Sequence, residues 1–269
     1  MRFVPLFARS LLILAATAAA ANADPESARQ AGPQSTAQRV LEQAAEDEKF
    51  TFIVFYKADS PQLRDLAKFV KAGVAKRSEK ATVAFVQISD PAEKTIVDKF
   101  DVSRSPMPLV LAVAPNMAVT GVFAKEIKEE HFDVAIVTPT MTRCMKSLQE
   151  GKFVFVCLQT DEKPATPTVV KSMQLDPEFS NRVVAVPLAL SDPQEGRFLQ
   201  QLQIDPRQVR APVAALLAPP GLLIGKYDAA SKKEQVLAAL HQAGKCCDDP
   251  NCKHNHGASG QAPANSRRK

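Results

Sequence analysis

The sequence predicts an α/β protein made of two copies of one fold, each a central mixed β-sheet flanked by helices. Three observations predict it. Short apolar runs with strand character alternate with helical periodicity from residue 35 onward. The same order of runs recurs about a hundred residues later. The chain, 269 residues and 45% hydrophobic, is long enough for two small cores.

In the first copy, Val40, Leu41 and Ala44 define a helical face. The run Phe50 to Tyr56 is rich in β-branched and aromatic residues and reads as a strand. Leu63, Leu66, Phe69, Val70 and Val74 then recur at helical spacing, followed by a strand over Val83 to Ile88. A helix carrying Ile96, Val97 and Phe100 comes next, then two strands, Leu109 to Ala114 and Ala118 to Phe123. Helical text from Glu126 to His131 closes the copy.

In the second copy, Lys152 to Cys157 answers Thr51 to Tyr56, and Val183 to Leu190 answers Val83 to Ile88. Ser89-Asp90-Pro91 is matched by Ser191-Asp192-Pro193. Each opens a helix, because Asp caps the first turn and Pro, lacking an N–H, is tolerated there. Pro108 to Pro115 aligns with Pro212 to Pro219 after two inserted residues. The last helix is predicted to start on a capping box, Ser231 with Glu234, and to bury Val236, Leu237 and Leu240. Thr138-Pro139 breaks the chain between copies, so the domains are expected at 35–138 and 139–243.

The ends read differently. Arg2 and Arg9 precede an apolar run from Leu11, and Ala21-Asn22-Ala23 offers a small-residue cleavage site. Residues 1–23 are therefore expected to be a signal peptide, 24–34 a flexible leader, and the mature chain to be periplasmic or secreted, with no membrane span after cleavage. Of the net charge of +5, Arg2 and Arg9 leave with the signal and the segment after Gly244 carries the remainder, so the body is neutral. A neutral body without Trp argues against a nucleic-acid footprint.

Five cysteines are unevenly placed. Cys144 and Cys157 lie in apolar segments and read as buried small hydrophobes or as a structural disulfide. In the tail, 244–269, Cys246, Cys247, Cys252, His254 and His256 cluster. Cys252, His254 and His256 alternate, so an extended backbone directs them to one side, and Asp248-Asp249-Pro250 offers a turn returning Cys246 or Cys247. Thiolate and imidazole donors suit Zn²⁺, and a sulfur-rich subset suits Cu(I). A disulfide-tied tail and thiol exchange by these cysteines stay open. No phosphate loop, dinucleotide turn or nucleophile elbow occurs.

The element order, with Pro108 and Pro212 each starting an apolar strand that leads to a hairpin partner, resembles the thioredoxin-like fold over most of residues 35 to 243. The resemblance implies that both prolines are that family's cis-proline. It also implies an active-site turn between strand and helix, where the family places Trp-Cys-x-x-Cys. This chain instead has Lys57-Ala58-Asp59-Ser60-Pro61-Gln62-Leu63 and Thr160-Asp161-Glu162-Lys163-Pro164-Ala165. Dithiol exchange requires a thiolate and a resolving partner, and neither turn contains a cysteine. The expected function is a redox-inactive module with a protein partner. Its binding loops would be Ser60, Pro61, Gln62 and Leu63 with Met107 and Pro108, and Ala211 and Pro212 in the second copy.

Overall fold

The computed structural model describes residues 35–124, 126–160, 166–209 and 212–244. Two four-stranded sheets organise them, in the orders β2-β1-β3-β4 and β6-β5-β7-β8. In the first domain these are β1 (Phe50–Tyr56), β2 (Ala81–Gln87), β3 (Leu109–Val113) and β4 (Val119–Phe123), with helices α1 (Thr36–Glu46), α2 (Pro61–Ala75), α3 (Lys94–Lys99) and α4 (Glu129–Ala135). In the second they are β5 (Phe153–Gln159), β6 (Val183–Ala189), β7 (Val213–Ala218) and β8 (Leu222–Tyr227), with α5 (Pro139–Gln149), α6 (Thr168–Leu175), α7 (Gly196–Gln201) and α8 (Lys233–Gln242). β1 pairs parallel with β2 and antiparallel with β3, and β5 does the same with β6 and β7. The parallel pair needs a crossover, which α2 and α6 supply.

The central strands are buried on both faces, which is why they read as continuous apolar runs rather than alternating ones. Successive residues of β1 point to opposite faces. Phe52 and Val54 pack with Leu63, Val70 and Val74 of α2 and Phe132 of α4. Ile53 and Phe55 pack with Leu41 of α1 and Ile96 and Val97 of α3. β5 divides likewise: Phe153, Phe155 and Cys157 face α6 and α8, while Val154, Val156 and Leu158 face α5 and α7.

Local chemistry sets the helix starts. Ser35 accepts from the Gln38 N–H at 2.9 Å, Ser60 from Leu63 at 3.1 Å, and Thr138 from Met141 at 3.2 Å, each satisfying an otherwise unpaired first-turn donor. Asp90 and Asp192 cap the 3-10 turns Pro91–Glu93 and Pro193–Glu195, as their matched tripeptides predict.

Two local expectations are corrected. α8 starts at Lys233 with Lys232 as its cap, and Gln235 accepts from the Lys232 N–H at 2.8 Å. Ser231 is turned away, accepting from Asp228 N–H at 2.9 Å, so the Ser231–Glu234 capping box does not form. The Asp228 carboxylate accepts a hydrogen bond from the Ser231 hydroxyl at 2.8 Å, outcompeting the helix end. α4 begins at Glu129 rather than Glu126 and runs on to Ala135, because Phe132 and Ala135 are the residues it buries. The helix α6, with Val169, Val170 and Met173 buried, stands between β5 and β6 where the repeated order places a helix, and its periodic stretch is only eight residues.

Candidate functional site

The sequence-predicted binding loops of the first domain lie at one end of its sheet. Phe55 pairs with Leu109, so the next residues outward, Tyr56 and Pro108, face each other where β1 runs out and β3 begins. The turn from Lys57 to Ser60 and the Met107-Pro108 segment therefore flank the same edge of the domain. The Met107–Pro108 peptide bond is cis. Ser60 has extended backbone (φ −152°, ψ 158°), Pro61 occupies the first helical position, and both Pro61 and Gln62 are exposed. Leu63 turns inward and is 8% exposed, joining the α2 face of the core rather than the loop surface.

Only carbon, oxygen and nitrogen side chains are present in this turn. Arg64 donates to Asp59 at 2.5 Å across it, an exposed pair that orders the turn but contributes little to stability. The Ser60 hydroxyl oxygen is committed to the helix cap.

In the second domain Leu158 pairs with Val213, which brings Gln159 opposite Pro212 at the equivalent sheet end. Pro212 is half-buried, whereas Ala211, the Ala211–Pro212 bond and residues 161–165 lie outside the described residues. A second cis bond joins Pro219 and Pro220 in the β7–β8 turn. Cys246, Cys247, Cys252, His254 and His256, the signal segment and the leader also lie outside the described residues. Among the described residues no group of three His, Cys, Asp or Glu is arranged to hold a metal ion, and no helix is long and apolar enough to cross a membrane.

The two described cysteines are separated by the sheet itself. Cys157 points toward α6 and α8, and Cys144, on α5, packs against the opposite face. Both are free and buried, so the structural-disulfide alternative is replaced by the buried-hydrophobe one. Burial pushes the Cys144 thiol up to about 12 and the Cys157 thiol to about 11, leaving both protonated near neutral pH.

The sequence reading passes over a matched pair of buried carboxyl groups. Glu93 is 6% exposed and Glu195 2%. Glu93 accepts from the Ser35 hydroxyl and, at 3.3 Å, from the Ala37 N–H at the start of α1. Glu195 accepts from the Thr138 hydroxyl at 2.9 Å at the start of α5. The signal was available: both end the pattern Ser-Asp-Pro-x-Glu, at an offset of 102 residues. In each domain this glutamate ties the turn before α3 or α7 to the capping residue of the first helix.

No protein-family model matches the sequence. No curated protein sequence matches it either. Among solved structures, the N-terminal domain of alkylhydroperoxide reductase AhpF from Enterococcus faecalis is 14% identical, covering 76% of this chain and 98% of that one at a TM-score of 0.30. The first two thioredoxin domains of Naumovozyma dairenensis Eps1p are 13% identical over 82% of this chain and 98% of theirs, at 0.27. Thioredoxin O2 from Arabidopsis thaliana is 12% identical over 38% of this chain and 85% of its own, at 0.30. Strand order, pairing and helix placement make this chain a tandem of two thioredoxin-like domains, with no Cys-x-x-Cys pair at either strand-to-helix turn.

Proposed function

We propose that this is an exported, redox-inactive thioredoxin-like protein that holds a protein partner at the loops around Ser60 to Gln62 and Met107-Pro108, with the corresponding loops of the second domain. The observation that carries the reading is the turn before α2, where Ser60 replaces a thiol and spends its oxygen on the helix cap. A hydroxyl oxygen cannot form a disulfide, so the turn offers shape and hydrogen bonds without electron exchange. Insulin reduction by the full-length protein with dithiothreitol is expected to proceed no faster than the uncatalysed reaction. Clear turnover would overturn redox inactivity, and its loss on Cys246→Ser would assign the activity to thiol exchange by the tail cysteines.

A second reading rests on the tail alone. Cys252, His254 and His256 with Cys246 or Cys247 supply the donors for Zn²⁺ or Cu(I), which would make the protein a metal carrier or sensor with the two domains as scaffold. Elemental analysis of the mature protein under reducing conditions, with and without residues 245–269, tests it. Metal lost together with those residues supports the reading, and full-length protein free of metal refutes it.

A further inference from the structure

The two domains differ at one edge of their sheets. β2 and β6 are edge strands, each bonded on one side to the central strand of its sheet. The phase of that bonding is the same in both. Lys80 C=O accepts from Phe50 and Ile88 N–H donates to Tyr56; Arg182 C=O accepts from Phe153 and Leu190 N–H donates to Gln159. In a parallel pair alternate residues aim both backbone groups at one neighbour. Residues 80, 82, 84, 86 and 88 thus address β1, and the N–H and C=O of Val83 and Phe85 point to the side that no strand pairs among the described residues. In β6 the residue at the register of Phe85 is Pro187, which is exposed. Proline at an outward phase removes the donor and blocks strand addition, one of the ways natural sheets protect an edge. Domain two is protected in this way. Domain one is not: β2, Ala-Thr-Val-Ala-Phe-Val-Gln, contains neither proline nor charge.

A groove of about 870 Å³ runs along this open edge, walled by α1 on one side and α2 on the other, with Ala81, Thr82 and Val83 as its floor. Arg39 on α1, Lys49 just before β1 and Lys71 on α2 outnumber the one lining carboxylate, Asp47. None of the three cations has an ion-pair partner among the described residues. Lys71 instead lies 5.0 Å over the Phe85 ring. A second copy docking edge to edge would set these cations against their own images.

We propose that the β2 edge is a strand-addition site for an extended acidic peptide of a partner protein. The peptide backbone bonds to Val83 and Phe85, and its carboxylates meet Arg39, Lys49 and Lys71. This surface is distinct from the loops proposed above, so each proposal can fail alone.

The probe is a terminally blocked six-residue peptide of alternating Glu and Val, titrated against full-length protein, with a Lys and Val peptide as control. Saturable binding of the acidic peptide only, with slowed amide exchange at Val83 and Phe85, is expected. Lys71→Glu should weaken it at least tenfold. Phe85→Pro, which copies domain two, should abolish it while the circular dichroism stays that of the parent. Lack of saturable binding, equal binding of the two peptides, or protection of other amides would overturn the proposal. Val83 and Phe85 amides already protected without peptide would overturn it too, assigning the edge to a second copy in a dimer and to another segment of the chain in a monomer.

Discussion

Gly73 sits in the last turn of α2, and glycine inside a helix is up to about 1 kcal/mol worse than alanine by propensity. The Phe132 ring explains it. A Cβ at position 73 would lie 2.4 Å from Phe132 Cε2, and that ring is wedged between Phe52 and Phe69 at centroid distances of 5.0 and 5.9 Å. Gly73→Ala is therefore expected to destabilise despite the better propensity, by about 1–3 kcal/mol from overpacking, read as a lower urea midpoint. The buried thiols make a second prediction at this scale. With Cys246, Cys247 and Cys252 replaced by serine, native protein at pH 8 should leave a chromogenic disulfide reagent untouched, and two thiols should appear on denaturation. Rapid native reaction would mean that Cys144 or Cys157 is reached by solvent.

Elements are joined by a few polar ties whose partners are far apart in sequence. Ser35 both caps α1 and donates to Glu93, so Ser35→Ala removes a cap and strips a buried carboxylate of a donor. A loss of about 2–3 kcal/mol is expected, more than the roughly 1 kcal/mol of an ordinary cap, with Thr138→Ala repeating the effect through Glu195. Equal losses for Ser35→Ala in the parent and in a Glu93→Gln background would show that the carboxylate tie contributes nothing. Arg77, at the end of α2, donates to both Asp133 oxygens at 2.6 Å and to Glu129 at 3.1 Å on α4. The guanidinium holds both carboxyl groups below their ordinary values of 3.8 and 4.5. A carboxylate whose pKa is depressed by folding adds stability above its unfolded value, and that share disappears as pH falls through the folded value. Acid titration of stability should therefore steepen below about pH 4.5, and Arg77→Gln should lower stability at pH 7 and flatten that limb, so that variant and parent converge in acid.

Over the whole molecule, the second domain closes an edge of the first. The side-chain amide of Gln149 on α5 accepts from the Val119 N–H at 3.0 Å and donates to its carbonyl at 2.7 Å, copying a neighbouring strand at the margin of β4. Asn116 donates to the Thr142 carbonyl at 2.9 Å beside it. Three neutral hydrogen bonds contribute about 1 kcal/mol each, enough to couple two small domains without making them one core. Gln149→Ala with Asn116→Ala is expected to speed amide exchange at Val119 and to spread thermal unfolding from one transition toward two, visible by calorimetry. An unchanged single transition would place the coupling elsewhere.

Strand and helix order, the duplication and the empty thiol positions were legible from residue order because they depend on local periodicity and on side-chain chemistry, which one chain carries openly. Phe52 and Ile53 announce a strand buried on both faces wherever that strand is placed. The α8 start, by contrast, was decided by competition: Ser231 had two partners within reach, and only the folded turn at Asp228 selects between them. The opposed faces of Cys144 and Cys157, the Glu93 and Glu195 ties and the open β2 edge belong to the same class. Each depends on which residues distant in sequence become neighbours, and hydrogen bonds and burial select those pairs only once the sheets have assembled.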